Sequence, residues 1–194
     1  RYLNNNIILI FLLIIFYRFS DIVLGSMAMP FYVDTGFSKE EVAIVTNAFG
    51  ILMTMAGVFV GGLLIYRYNL MIVVFLGAIL VMLTNVAFAW LDTVGHDVSA
   101  LTVVITLDNF SQGVASTALI ALLSRLTNRA FTATQYAALF LLATFPANIM
   151  KGFSGFIVDS FGYFNFFLYA AVLGVPAVVI SYILLKKKFT PSTS

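Results

Sequence analysis

The sequence predicts an all-α membrane protein with six transmembrane helices, arranged as a 3+3 inverted repeat in a single bundle over residues 1–194. Three observations support this prediction: the composition, six long apolar runs, and a repeat of their positions. Hydrophobic residues make up 62% of the chain and charged residues 9%, whereas soluble domains contain about 25% charged residues. This composition excludes an ordinary soluble domain.

Six apolar runs are long enough to cross a bilayer, because about 20 helical residues span the hydrocarbon. The connectors between the runs contain Gly, Asn, Asp and Ser, which are typical of helix ends and turns. We place the six spans at residues 7–29, 42–66, 70–91, 101–123, 137–158 and 164–185.

The charges of the connectors differ between the two sides of the membrane. One side has only cations, and the other has a single lysine among six acids. Basic loops usually lie in the cytoplasm, so both termini are predicted to be cytoplasmic. The cationic side contains Arg1, Arg67, Arg125, Arg129, Lys186, Lys187 and Lys188, and the acidic side contains Asp34, Lys39, Glu40, Glu41, Asp92, Asp97 and Asp159.

The chain resembles two three-helix units in succession. GLLIYRYN, which begins at Gly62, corresponds to GFIVDSFG, which begins at Gly155, with an offset of 93 residues. The same offset carries the starts of the first three spans to within two residues of the starts of the last three. Because three is odd, the second unit crosses the membrane in the opposite direction, as in inverted-repeat transporters.

Arg18 and Asp21 lie near the middle of the first span. A charged residue at this depth costs roughly 2.5–3.5 kcal/mol on insertion scales. Residues three apart share a helix face, so the two can partly neutralise each other. Pairing explains why they are tolerated, and either a polar cavity or a structural clamp between helices would explain why they are present.

Asp108 and Lys151 lie at a depth similar to that of Asp21, on the fourth and fifth spans. The third and sixth spans contain no charge, which indicates peripheral helices around a polar interior. Lys151 could alternatively extend its stem to the membrane surface.

Other polar and small residues fit helix packing. Asn47 and Asn85 are typical interhelical hydrogen bonders, and Gly57 with Gly61 favours close helix contact. Pro146 predicts a kink and a free carbonyl in the fifth span, where a hinge or a site could form.

Three stretches resemble the second half of AmpG-type muropeptide permeases of the major facilitator superfamily. They are YRFSDIVLGSMAMPFYVDTGFSKEEVAIVTNAFG, LDTVGHDVSALTVVITLDNFSQGVASTALIALLSRLTNRAFTATQYA and GFSGFIVDSFGY. The resemblance implies helices seven to twelve of a twelve-helix carrier, and hence a fragment or a processed chain. It also implies proton-coupled import of anhydro-muropeptides from periplasm to cytoplasm through the inner membrane.

The resemblance extends to particular residues. It is strongest at Arg18, Asp21, Asp108, Asn109, Gln112 and Gln135. It is weakest in FPANIMKGFSG, where the family commonly has a basic residue at the position of Asn148 and this chain has Lys151 instead. A role for this helix in substrate binding or coupling is therefore less well supported.

We interpret the chain as one half of a carrier that works by alternating access. Arg18 and Lys151 are predicted to attract substrate carboxylates, and Asn109 and Gln112 to bind sugar hydroxyls. Asp21 or Asp108 is predicted to carry the proton, because burial and a nearby cation change the proton affinity of a carboxylate in opposite directions. A matching amino-terminal six-helix half is the expected partner.

Several alternatives remain open at this stage. The same scaffold could carry a siderophore or a CoA ester, or the chain could be an inactive or structural six-helix subunit. An intramembrane enzyme is disfavoured because the chain has no cysteine, and His96, its single histidine, is in a loop. We predict no metal, cofactor or nucleic-acid partner.

Overall fold

A computed structural model describes residues 2–127 and 132–187, with side chains from 8 to 127 and from 133 to 187. The described chain is helical throughout, with short connectors. Arg1, Arg129 and Lys188, three cations used to predict the orientation, lie outside the described residues. The helices are α1 (Tyr2–Tyr17), α2 (Phe19–Asp34), α3 (Lys39–Ile44), α4 (Ile51–Arg67), α5 (Leu70–Val94), α6 (Val98–Leu126), α7 (Thr132–Lys151) and α8 (Ser154–Lys186).

Five helical stretches in the described residues are long and apolar enough to cross a membrane. They cover Ile8–Asp34, Lys39–Arg67, Leu70–Val94, Val98–Leu126 and Ser154–Lys186. The first combines α1 and α2, and the second combines α3, a π-helical segment (Val45–Gly50) and α4. The 20-residue α7 is not one of these five stretches, because Gln135, Pro146 and Asn148 lower its mean hydropathy.

The predicted fifth span differs most from the structure. The helix ends at Lys151 rather than at residue 158, and two non-helical residues precede α8. The predicted turn before the sixth span appears inside α8 as a kink at Gly162, whose φ is +78°. The fifth crossing therefore comprises α7 and the first part of α8, and the sixth comprises the remainder of α8.

Sequence-local interactions define several helix ends. Ser38 and Glu41 form a capping box at the start of α3, Asn69 caps α5 and Asp97 caps α6. Each cap supplies an acceptor for backbone N–H groups that have no partner within the helix. At the end of the bundle that carries the acidic connectors, Tyr163 donates a hydrogen bond to Asp34 at 2.6 Å, and His96 Nε2 lies 3.4 Å from Glu41 Oε2.

The packing of the helices follows the predicted inverted repeat. α4 packs against α6 in the same way that α7 packs against α1 and α2, and α5 contacts α6 as α8 contacts α1 and α2. The contact between α5 and α8 is kept when the two units are exchanged, because each of these helices takes the place of the other. Exchanging the two three-helix units thus preserves the main helix contacts, as a pseudo-twofold arrangement requires.

The third span is more central than predicted. α5 packs against α6, α8 and α2, and it is the most buried of the five candidate spans. One face still points outward, with Leu83 and Trp90 at least half exposed. α5 is therefore exposed on one face, as expected of a peripheral helix, and its inner face carries Thr84 and Asn85.

Candidate functional site

The first membrane span breaks at its charged residue. Arg18 separates α1 from α2 and has φ −100° and ψ −4°, in the bridge region where many functional residues lie. Discontinuous helices at membrane depth are tolerated where they are buried in protein or line a polar cavity. The break therefore marks this part of the span as a candidate site.

Arg18 connects the broken span to α6. Its Nη2 lies 3.2 Å from Asp21 Oδ2, and its Nη1 donates to Gln112 Oε1 at 3.3 Å and to Ser116 Oγ at 3.1 Å. Gln112 Nε2 in turn donates to Asp21 Oδ1. The guanidinium, the carboxylate and the amide thus form a closed ring of hydrogen bonds.

Asp108 extends this ring toward α5. Thr84 Oγ1 donates to Asp108 Oδ1 at 3.0 Å, and Asp108 lies one turn before Gln112 on the same face of α6. We call Arg18, Asp21, Thr84, Asp108 and Gln112 the charged network. It joins three membrane spans, and it unites four of the residues that the sequence indicated.

The charged network is partly accessible from outside the six-helix unit. The side chain of Arg18 is 27% exposed and that of Asp21 is 18% exposed, while Asp108 and Gln112 are half-buried. The charged network is therefore not fully enclosed by the six-helix unit.

Asn109 has hydrogen bonds within this chain. Its Oδ1 accepts from Thr54 at 3.0 Å, and its Nδ2 donates to the carbonyl of Ile105 at 2.9 Å. The Thr54 contact connects α4 to α6 next to the π-helical segment, and the Ile105 contact lies within α6. They leave Asn109 fewer groups for a sugar hydroxyl than the sequence suggested.

Lys151 lies apart from the charged network. It is exposed at the end of α7, and the described residues include no hydrogen bond or ion pair to it. The break that follows it resembles the break at Arg18, because each interrupts a span at a cation. The two broken spans also pack against each other through α1, α2 and α7.

Asn85 acts as the predicted interhelical hydrogen bonder. Its Nδ2 donates to Ser20 Oγ, which donates to the carbonyl of Ala170 at 2.7 Å. These two hydrogen bonds join α5, α2 and α8 just beyond the break at Arg18. Asn47, by contrast, is exposed on the π-helical segment.

Sequence reasoning missed Thr84 and Ser116. A hydroxyl in an apolar helix scarcely changes its hydropathy, so Thr84 gave no signal. Ser116 could have been found, because Asp108, Gln112 and Ser116 follow at intervals of four and therefore share one face of α6.

Five apolar spans and inverted-repeat packing give this chain the fold of one half of a solved membrane transporter. The solved structure of the peptide transporter POT (E310Q mutant) in complex with alafosfalin matches this fold with a TM-score of 0.72. That match has 19% identity and covers 96% of this chain and 41% of the transporter.

The chain is similar in sequence to curated proteins that are named as AmpG transporters. The chain is 35% identical over 171 residues to "Putative transporter AmpG 4" of Rickettsia conorii, which covers 88% of this chain and 41% of that protein. It is 28% identical to "Putative transporter AmpG 3" of Rickettsia prowazekii, covering 94% and 43%. The resemblance to AmpG-type transporters is therefore confirmed over about nine-tenths of the chain.

The relatives also limit what the chain alone can represent. It spans about two-fifths of the length of the curated relatives that it matches. A search with models of protein families found no match. The chain is a multi-pass membrane protein, and the curated relatives that it matches are named as transporters rather than enzymes.

Proposed function

We propose that this chain forms one wall of a proton-coupled carrier that imports anhydro-muropeptides from periplasm to cytoplasm by alternating access. The charged network is the observation that carries the proposal. Ionisable residues within membrane spans usually mark substrate or proton pathways because they are costly to insert. Here they gather at a broken helix and stay partly accessible.

The two cations fit an anionic solute. Arg18 is balanced by Asp21 at 3.2 Å, so a substrate carboxylate would compete with Asp21 for the guanidinium. Lys151 has no such partner among the described residues, which leaves its ammonium free for a second anionic group. Gln112, and to a smaller extent Asn109, would hydrogen-bond the sugar.

The carboxylates fit proton coupling. A substrate anion that draws Arg18 away from Asp21 would leave Asp21 and Asp108 with less positive charge nearby. A carboxylate in that position binds a proton more readily. Uptake of the anion and uptake of a proton would then favour each other, as import along a proton gradient requires.

The other wall of the site is proposed to come from an amino-terminal six-helix half. The span Lys39–Arg67, which ends with α4, is the least buried of the candidate spans. Its outward stripe consists of Leu52, Met55, Phe59 and Leu63, each more than half exposed. The relatives are long enough to contain a second unit of similar size, and part of this stripe is available to it.

Uptake of labelled anhydro-muropeptide into proteoliposomes containing the complete carrier tests the proposal. With a more acidic exterior, the parent protein should accumulate substrate, and Asp21→Asn and Asp108→Asn should reduce accumulation to passive exchange. Asp97→Asn is the matched control, since Asn also caps helices and Asp97 lies outside the charged network.

The same assay separates the alternatives. Full pH-driven accumulation by both network variants would exclude the proton role. If siderophores or CoA esters blocked uptake better than unlabelled muropeptides do, anhydro-muropeptide would be excluded as the main substrate. The absence of any solute-dependent proton movement would favour a structural subunit.

A further inference from the structure

We propose that Ser116 is a positioning residue for Arg18, and that it holds the guanidinium so that the Nε–Nη2 edge binds a carboxylate of the substrate. This inference deepens the proposed function, on which the identity of the substrate rests. It names the chemical group that Arg18 takes and a residue that makes Arg18 selective for that group.

The first argument is the saturation of one guanidinium nitrogen. Nη1 of Arg18 donates to Gln112 Oε1 at 3.3 Å and to Ser116 Oγ at 3.1 Å. Because Nη1 has two hydrogens in a fixed plane, these two acceptors occupy it fully. Gln112 and Ser116 are four residues apart and share one face of α6, so the guanidinium is held against that face.

The second argument is the direction of the Ser116 hydroxyl. Three other hydroxyls of α6, those of Thr102, Ser111 and Thr117, donate to the carbonyl four residues earlier. In the part of the chain that the structure describes, Ser116 has no such bond, and its oxygen accepts from Arg18 instead. Its hydroxyl group therefore supports the guanidinium rather than its own helix.

The third argument is the opposite edge of Arg18. Asp21 Oδ2 lies 3.2 Å from Nη2, and no acceptor within the described residues is hydrogen-bonded to Nε. Nε is also not among the buried atoms that lack a partner there, so solvent reaches it. The Nε–Nη2 edge is therefore open to a ligand, which would compete with Asp21 at Nη2.

The chemistry of this edge favours a carboxylate. Two parallel N–H groups match the two oxygens of a carboxylate, which can accept both hydrogen bonds at once. A carboxamide has one oxygen and would point its own N–H groups at the donors of Arg18. The edge should therefore bind a carboxylate and discriminate against the corresponding amide.

Loss of Ser116 should weaken this discrimination. With Gln112 as the remaining acceptor for Nη1, the guanidinium can turn, and a ligand must order it on binding, which lowers the affinity. The effect falls on ligands that use both N–H groups of the edge. An amide, which cannot use both, should be insensitive to Ser116.

Equilibrium binding to the purified complete carrier, without a pH gradient, tests this proposal. The probes are two matched pairs: anhydro-muropeptide with its carboxamide analogue, and a short peptide with its C-terminal amide. The parent protein should bind the carboxylate of each pair more tightly than the amide. Ser116→Ala should weaken binding of the carboxylates about tenfold, the lower end for loss of a hydrogen bond to a charged group, and leave the amides unchanged.

Two variants serve as controls. Ser116→Thr keeps the hydroxyl and should retain the preference of the parent for carboxylates. Ser111→Ala removes a hydroxyl from the same helix, but that hydroxyl bonds the carbonyl of Leu107 at 2.7 Å. It should bind both pairs as the parent does. Equal weakening of the carboxylate and the amide by Ser116→Ala, or no weakening of either, would exclude the positioning role.

The inference and the proposed function can fail separately. If the short peptide shows the expected effect of Ser116→Ala but the muropeptide does not bind, the positioning role stands and the proposed substrate fails. If the muropeptide binds and Ser116→Ala does not change its affinity, the substrate stands and the positioning role fails. Binding of neither carboxylate to the parent protein would overturn both.

Discussion

Gly57 determines how closely α4 and α6 approach each other. A Cβ atom at this position would lie 2.2 Å from the carbonyl oxygen of Phe110 and 3.1 Å from the Cα of Gly113. Both neighbours are backbone atoms, which cannot move without separating the helices. The same crossing brings Thr54 to Asn109, so the glycine also maintains the polar contacts between the two helices.

Gly57→Ala is expected to destabilise the protein by about 1–3 kcal/mol, the range for overpacking of a tight interior. Gly62→Ala is the matched control on the same helix, because no atom lies within 4 Å of a Cβ there. Thermal unfolding in detergent measures the difference. Equal melting temperatures for the two variants would contradict the tight crossing.

Single residues also show the limit of sequence reasoning. Arg18, Asp21 and Asp108 were predicted because charges are rare in apolar spans, and the structure brings them together. The bonding of Asn109 to Thr54 could not be predicted, since it depends on the π-helical segment and on the rotation of α4 against α6. Hydropathy shows that a polar group is present but not which partner satisfies it.

At the scale of elements, the helices were predicted better than their interruptions. Apolar length predicts a span because hydrocarbon thickness fixes the number of residues. The breaks at Arg18 and after Lys151 depend on local backbone bonding, such as the bond from Gly152 N to Ile149 O at 3.1 Å. The predicted span to residue 158 ends close to the kink at Gly162, but it passes through the break after Lys151, which hydropathy does not reveal because the segments on both sides are largely apolar.

The kink at Gly162 separates the fifth and sixth crossings and requires glycine. Its φ of +78° and ψ of 169° lie in a region that other residues rarely adopt. Gly162→Ala should therefore destabilise the protein by about 1–3 kcal/mol. Gly155→Ala isolates the backbone effect, because both positions have open space around a Cβ but Gly155 is helical.

Urea unfolding of the two glycine variants, followed by circular dichroism, provides the comparison. A lower midpoint is expected for Gly162→Ala than for Gly155→Ala. If the midpoints coincide, the backbone at Gly162 must be free to adopt an ordinary conformation, and the kink is not fixed by the glycine.

At the scale of the whole molecule, the inverted repeat brings together groups from both units. Asp21 comes from the first three-helix unit, whereas Asp108 and Gln112 come from the second. Antiparallel crossings place Asp108 toward the acidic side of the membrane and Ser116 toward the basic side. The charged network therefore extends along the membrane normal at the contact between the two units.

The orientation predicted from the loop charges can be tested with single cysteines, because the chain has none of its own. Thr93→Cys lies at the acidic end of α5 and Ser124→Cys at the basic end of α6, and both positions are exposed. A membrane-impermeant maleimide added to spheroplasts should label Thr93→Cys directly. It should label Ser124→Cys only after lysis, since basic loops stay in the cytoplasm.

The opposite labelling pattern would place the basic loops outside the cytoplasm. It would contradict the predicted cytoplasmic location of both termini and the proposed direction of import. Labelling of both positions before lysis would show that α6 does not cross the bilayer. The expected pattern would place Asp108 nearer than Ser116 to the periplasm. A proton entering from the more acidic side would then meet the carboxylates before it meets Arg18 and Ser116.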